Sequence, residues 1–167
     1  MKTRRTFRAR GLTLIESMLA MLIVSVLMVA AMRAAGASGL TQYRSAERVR
    51  GCTLADGLMA EVMALEYQDP GAASFGLESG ESSGTRASWN DIDDANGWSE
   101  SPPQNRDGSD MPDLSDWKRA VKVEWVNSKN IGQVSASETG AKRITVVVSH
   151  ADRIVATRVA VRTLAPE

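Results

Sequence analysis

Apolar residues are concentrated in one long run near the N-terminus of this chain. Residues 12–32 carry a single charge, Glu16, and Arg33 ends the run. At about 1.5 Å per residue, a helix of this length would span about 32 Å, close to the hydrocarbon thickness of a bilayer. The pattern therefore predicts a helix that can cross a membrane once.

A second helical pattern follows this run. Four aliphatic residues recur at spacings of four, four and three, which places them on one helix face: Leu54, Leu58, Val62 and Leu65. Pro70 then provides a stop signal. We predict one long, bent helix over about residues 12–66, whose second half packs against a folded head.

Strand patterns begin at Ala120. Three apolar residues alternate with polar ones there: Val121, Val123 and Trp125. A turn-rich break at residues 127–132 precedes two more predicted strands, at 142–149 and 154–162, and four residues between those two strands suit a hairpin. The head is therefore predicted to be an antiparallel sheet of three or four strands, and the fold class to be α+β.

The segment between helix and strands, residues 67–118, has a different composition and is called the acidic segment. It is rich in Gly, Ser, Asp, Asn and Pro, and it holds 11 acidic residues against three basic ones. Regular structure is expected to be sparse in so long a connection. Three tryptophans are expected to anchor it to the head: Trp89, Trp98 and Trp117.

Within the acidic segment, Asp91, Asp93 and Asp94 offer the carboxylate oxygens that calcium prefers. Their spacing imitates the start of a calcium-binding loop. However, the fifth loop position lacks a ligand, the glycine comes one position late, and Pro102 stands where a glutamate is needed. Two interpretations stay open: a solvated acidic loop, which the mismatches favour, or a calcium site at these three residues.

The formal net charge of zero hides an uneven distribution. Residues 1–11 carry five basic residues and no acidic one, which leaves 15 basic and 20 acidic residues in the remainder. A negatively charged body gives no support to nucleic-acid binding, so no nucleic-acid partner is expected. The basic flank should stay cytoplasmic, which puts the chain after the apolar run on the outer side.

Catalytic chemistry has little basis in this sequence. His150 is the single histidine and is interpreted as a surface residue near a hairpin turn. Without a second histidine or a nucleophile in a recognisable setting, neither a catalytic triad nor a zinc site can be argued. We therefore predict that the protein is not an enzyme and that it needs no cofactor, apart from the calcium alternative above.

The charge at Glu16 is the feature that ordinary explanations leave out. A carboxylate costs roughly 2.5–3.5 kcal/mol at the middle of a membrane span, and a plain signal anchor does not account for it. A cleaved secretory signal would have a shorter apolar core. The stretch Gly11-Leu12-Thr13-Leu14-Ile15-Glu16 resembles the class III signal motif of prepilins, in the type IV pilin-like family. That family most often has Phe at the position of Leu12.

This resemblance implies that a prepilin peptidase cuts after Gly11 on the cytoplasmic side, and that Leu12 becomes the methylated N-terminus. It also implies that Glu16 neutralises the new ammonium of its own or a neighbouring subunit, because a buried charge is tolerated when it is paired. The implied partners are the peptidase, other pilin or pseudopilin subunits, and an assembly platform in the inner membrane. The implied location is the inner (cytoplasmic) membrane, single-pass with a periplasmic head, and then the pilus or pseudopilus.

The chain is thus expected to have five parts, in the order of the pilin fold. They are a prepilin leader (1–11), a transmembrane and assembly helix (12–33), a helix continuation packed on the head (34–66), the acidic segment (67–118) and an antiparallel β head (119–167).

The expected function is that of a structural subunit of a type IV pilus or a type II secretion pseudopilus. A minor subunit is favoured, because the C-terminal cysteine pair of many major pilins is missing and residues 54–62 resemble I-type minor pseudopilins and V-type minor pilins. The alternative is a fibre-tip binding module, which would recognise a substrate, a surface or Ca²⁺ through the acidic segment.

Overall fold

A computed structural model describes residues 13–69, 74–78, 80–81 and 84–164. The chain divides into two compact units, a first unit of residues 1–45 and a second unit of residues 46–167. The second unit contains the whole predicted head. The long N-terminal helix and an antiparallel sheet confirm the predicted α+β fold class.

Helix α1, Leu14–Met63, is the longest element of the described chain. The helix ends about three residues before the predicted end, because the backbone of Glu66 bonds to the acidic segment. The backbone N–H of Leu65 donates to Val62 at 3.2 Å, which tightens the last turn. Glu66 then pairs with Asp91 as an isolated parallel bridge instead of continuing the helix.

The sheet has five strands among the described residues, all paired antiparallel. They are β1 (Ser99–Glu100), β2 (Trp117–Asn127), β3 (Asn130–Val134), β4 (Ala141–His150) and β5 (Arg153–Thr163). Strand order is β1-β2-β4-β5, and β3 pairs with β2. The two strands that periodicity did not predict are short. β1 lies within the acidic segment, and β3 begins inside the stretch that was predicted to be a turn.

The predicted hairpin connects β4 and β5, but its turn has two residues instead of the expected four. Ala151 and Asp152 have φ angles of 47° and 62°. Positive φ at both central residues is the signature of a type I′ turn, whose twist matches that of the flanking strands. The register therefore pairs His150 with Arg153, so both belong to strand ends and not to the loop.

The core of the second unit lies between α1 and the sheet. The helix contributes a buried stripe at every third or fourth residue: Gly51, Ala55, Leu58 and Val62. Predicted Leu54 and Leu65 are partly buried at the edge of the same cluster. Alternate residues of β2 and β4 complete it: Val121, Val123, Ile144, Val146 and Val148. At Gly51, an added Cβ would lie only 2.6 Å from Cγ2 of Val155, so helix and β5 make a close approach.

Part of the acidic segment belongs to this core, which contradicts the interpretation of Asp91, Asp93 and Asp94 as a solvated loop. Trp89, Ile92, Ala95 and Leu114 are at most 4% exposed and belong to the hydrophobic cluster. The carboxylates are buried with them, since Asp91, Asp93 and Asp94 are only 1–2% exposed. The expected tryptophan anchors are present: Trp89 and Trp117 lie in the core, and Trp98 packs against it.

Candidate functional site

A buried lysine neutralises one aspartate of the acidic segment. Lys142 on β4 is 1% exposed and forms an ion pair with Asp93. Its ammonium also donates to the backbone carbonyl of Tyr67 at 2.5 Å and lies 4.4 Å from the centre of the Tyr67 ring. The other carboxylate oxygen of Asp93 accepts a hydrogen bond from the backbone N–H of Gly76 at 2.9 Å. Because a buried ammonium needs a paired carboxylate, this contact ties the acidic segment to the sheet.

Asp91 is used in a different way, as an acceptor for backbone N–H groups. Its Oδ2 accepts from Asp69 at 2.8 Å and its Oδ1 from Asp93 at 2.9 Å. Burial, together with the nearby Asp93 carboxylate, raises the pKa of Asp91 to about 6. Both oxygens of Asp91 and Asp93 thus serve protein donors. Of the three predicted calcium ligands, only Asp94 keeps an oxygen without a hydrogen-bond partner among the described residues.

A second charge cluster joins the acidic segment to α1 and β2. Arg86 and Arg119 are 1% and 2% exposed, and both pair with Glu100 on β1. Arg86 also donates from Nε to Glu61 of α1 at 3.1 Å. Burial lowers the pKa of Arg119. Two guanidinium groups and two carboxylates leave the cluster neutral, which is the condition under which charges are tolerated in a core.

His150 is not the surface turn residue that the sequence indicated. Its ring stacks on Trp117 with centroids 4.6 Å apart, and its Nδ1 lies 2.6 Å from Oε1 of Glu47 on α1. Arg153 pairs with the same carboxylate. The hydrogen bonds from His150 and Arg153 hold the pKa of Glu47 below its usual value. The register of the hairpin explains the error, because it brings His150 and Arg153 side by side at the end of the sheet that faces Glu47.

The N-terminus of α1 carries a reciprocal cap that the sequence reasoning did not recognise. The backbone N–H and the hydroxyl of Thr13 donate to Oε2 of Glu16 at 2.8 and 2.9 Å. The backbone N–H of Glu16 lies 3.4 Å from Oγ1 of Thr13. This is a capping box, and the spacing Thr-x-x-Glu at the start of an apolar run was its signal. Glu16 therefore stabilises the start of the helix within its own chain.

The large apolar side chains of α1 between residues 14 and 32 are exposed. Their exposed fractions run from 49% at Ile23 to 81% at Leu14. One 18-residue window of α1 has a mean hydropathy of 2.4, and none of that window is buried in the described protein. A helix that is apolar on all sides is suited to a membrane or to the interior of a larger assembly.

Comparison with known families gives this exposed helix a context. Residues 6–32 match the family model of the prokaryotic N-terminal methylation motif. The chain carries a class III signal. Gly11 and Leu12 fall within the matched stretch but lie outside the described residues. Comparison with curated proteins and comparison with solved structures each find no match.

The methylation motif supports a precursor of the type IV pilin or pseudopilin type, and it confirms the resemblance on which the sequence reasoning relied. A signal of this class implies processing by a prepilin peptidase and assembly with other pilins. Together with the exposed apolar helix, it fits anchoring in the inner membrane. The motif also favours a structural subunit over an enzyme.

Proposed function

We propose that this chain is a minor subunit of a type IV pilus or of a type II secretion pseudopilus. The observation that carries the proposal is the methylation motif at residues 6–32, together with the exposed large apolar side chains of α1 between residues 14 and 32. A minor position is supported by the single cysteine of the chain, since many major pilins have a C-terminal cysteine pair.

In this function the peptidase cuts between Gly11 and Leu12, and the new N-terminus at Leu12 is methylated. The apolar part of α1 anchors the chain in the inner membrane, with the second unit on the periplasmic side. The same part of the helix then enters the fibre beside other subunits, guided by the assembly platform. Its 49–81% exposed side chains suit both environments, because lipid tails and neighbouring apolar helices are alike in polarity.

Processing is tested by expressing the full-length chain in membranes with and without a prepilin peptidase, and by measuring the N-terminus with mass spectrometry. We expect a chain that begins at methylated Leu12 only when the peptidase is present. A chain that is uncut under both conditions, or cut after the apolar run, would contradict the proposal.

The proposed assembly role of Glu16 needs a test that separates it from helix capping. Glu16→Ala should be processed normally but be incorporated into fibres poorly, because the ammonium of Leu12 loses its carboxylate partner. Thr13→Ala is the matched control, since it weakens the same capping box and leaves the carboxylate in place. Equal losses of fibre incorporation in the two variants would show that Glu16 acts through the cap alone.

A fibre-tip binding function would have to use the exposed residues of the acidic segment. Asp91, Asp93 and Asp94 are buried, and the segment supplies core residues and β1. Deleting residues 67–118 would therefore unfold the second unit rather than test recognition. No contact in the described part of the chain favours this function over the structural one.

A further inference from the structure

Three carboxylates converge at a place that none of the contacts above explains. Glu78, Glu81 and Asp94 each direct one oxygen to a common point, and the three oxygens lie within 4.8 Å of one another. Asp94 belongs to the 3-10 turn Asp93–Ala95 and is 2% exposed. Glu78 and Glu81 are half-buried. The site therefore joins two separate stretches of the acidic segment.

In each carboxylate one oxygen is held by a protein donor. Oε1 of Glu78 accepts from the Ser74 hydroxyl at 3.1 Å, and Oε2 of Glu81 accepts from the backbone N–H of Glu78 at 2.7 Å. Oδ2 of Asp94 accepts from the backbone N–H of Asn90 at 2.8 Å. These bonds restrict the orientation of all three carboxylates.

The remaining oxygens are buried and unpaired. Oε2 of Glu78, Oε1 of Glu81 and Oδ1 of Asp94 have no hydrogen-bond partner among the residues that the structure describes. A buried acceptor without a partner is costly, and like charges at this separation repel. The neighbouring buried Asp93, by contrast, is matched by Lys142. No ion pair between described residues reaches these three carboxylates.

We propose that Glu78, Glu81 and Asp94 bind one Ca²⁺. Calcium takes oxygen ligands at 2.3–2.6 Å, so two oxygens on one ion are separated by at most about 5 Å. One oxygen from each of the three carboxylates meets that limit. Zinc is disfavoured, because its sites are built mainly from Cys and His. The ion replaces the missing base of this cluster, and water completes its coordination.

This site differs from the one that the sequence suggested. It keeps Asp94, replaces Asp91 and Asp93, and recruits Glu78 and Glu81 from more than ten residues upstream. Binding would hold Glu78 and Glu81 against the turn Asp93–Ala95, which contributes Ala95 to the core. The proposal does not rest on the chain being a pilin subunit.

Calorimetry on the full-length chain in detergent, stripped with EGTA and titrated with CaCl2, tests the site. We expect one bound ion per chain and a Tm several degrees higher in CaCl2 than in EGTA, because a ligand that binds only the folded state stabilises it. Glu81→Gln should weaken calcium binding at least tenfold, since it keeps the acceptor for Glu78 N–H but removes the charge. Asp94→Asn, which changes the most buried of the three ligands, should weaken calcium binding as well, provided that the variant folds.

Asp113→Asn is the matched control, because it removes one charge from an exposed residue of the same segment. Asp113 has φ 59°, a conformation that asparagine also adopts readily. We expect this variant to bind calcium as the unmodified chain does. Absence of both binding heat and a Tm shift in the unmodified chain would overturn the proposal. So would unchanged affinity in a Glu78→Gln, Glu81→Gln double variant. Neither result would affect the N-terminal mass measurement that tests the proposed function.

Discussion

Two stretches of helix α1 differ in whether their apolar side chains are exposed or buried. Between residues 14 and 32, α1 is apolar on every side and its large side chains are 49–81% exposed. Between residues 47 and 62 only one stripe of the helix is buried, and that stripe meets the sheet. The difference shows where each stretch finds its partner. The second has it within the chain, whereas the first must take it from a membrane or from other subunits.

The largest expected effect is a difference in stability between alanine variants of two leucines of this helix. Leu58 is fully buried, so Leu58→Ala should lower the free energy of unfolding of the second unit by about 2–5 kcal/mol. Leu27 is 62% exposed, and Leu27→Ala should leave that free energy unchanged. Urea unfolding of the full-length chain in detergent, followed by tryptophan fluorescence, measures both. An equal loss in the two variants would remove the distinction between the stretches.

Introducing a charge tests whether the apolar stretch inserts into the membrane. Val24 lies in the middle of the apolar stretch, so Val24→Arg should disfavour membrane insertion by about 2.5–3.5 kcal/mol. Val49 is 66% exposed in the part of α1 that belongs to the second unit, and Val49→Arg should insert normally. The membrane-bound fraction of each variant after cell fractionation gives the answer. Normal membrane association of Val24→Arg would mean that residues 14–32 do not span the bilayer.

Two glycines in the part of α1 that belongs to the second unit should change stability in opposite directions when they are replaced by alanine. Gly51→Ala would place a Cβ 2.6 Å from Cγ2 of Val155, and the resulting overpacking should cost about 1–3 kcal/mol. Gly57→Ala meets no atom within 4 Å and should stabilise the helix by about 0.5–1 kcal/mol. Thermal unfolding of both variants measures the sign. A stabilising Gly51→Ala would show that α1 does not approach β5 so closely.

The smallest expected effect concerns the tie between α1 and the hairpin. Because hydrogen bonds from His150 and Arg153 lower the pKa of Glu47, its ionised form stabilises the fold. That contribution is present above the usual pKa of a glutamate, about 4.3, and is lost as the pH falls through the lower pKa of the folded state. Urea midpoints measured between pH 6 and pH 3 should fall less in Glu47→Gln than in the unmodified chain. Parallel curves would exclude this contact as a source of stability.

Much of the fold could be predicted because its signals are local. The spacing around Leu58 and Val62 reports a helix face, and the alternation from Val121 to Trp125 reports a strand, each within a few residues. The class III signal is also contiguous, so its residues could be recognised without any structure. The capping box of Thr13 and Glu16 was equally local, and its Thr-x-x-Glu spacing was available to be noticed.

The burial of charges could not be predicted because its cause is distant in sequence. Asp93 and Lys142 are 49 residues apart, and Glu47 and His150 are 103 residues apart. An aspartate-rich stretch is usually solvated, since aspartate is almost never fully buried unless it is paired. Only the folded chain shows which bases come within reach, since Lys142 and His150 lie on β4 while Asp93 lies in a 3-10 turn and Glu47 on α1. For the same reason, the convergence of Glu78 and Glu81 on Asp94 has no signature in their spacing.

The buried pair of Lys142 and Asp93 constrains how this sequence can change over generations. Loss of either partner alone leaves an isolated charge in the core, which typically costs about 3–5 kcal/mol, whereas replacing both with apolar residues can be neutral. Tolerated substitutions at these two positions must therefore occur together, or pass through an intermediate in which neither residue is charged. In a set of descendants of this chain, positions 93 and 142 should covary. The acidic segment, whose composition is typical of a variable loop, would then contain a residue that is constrained by its partner on β4.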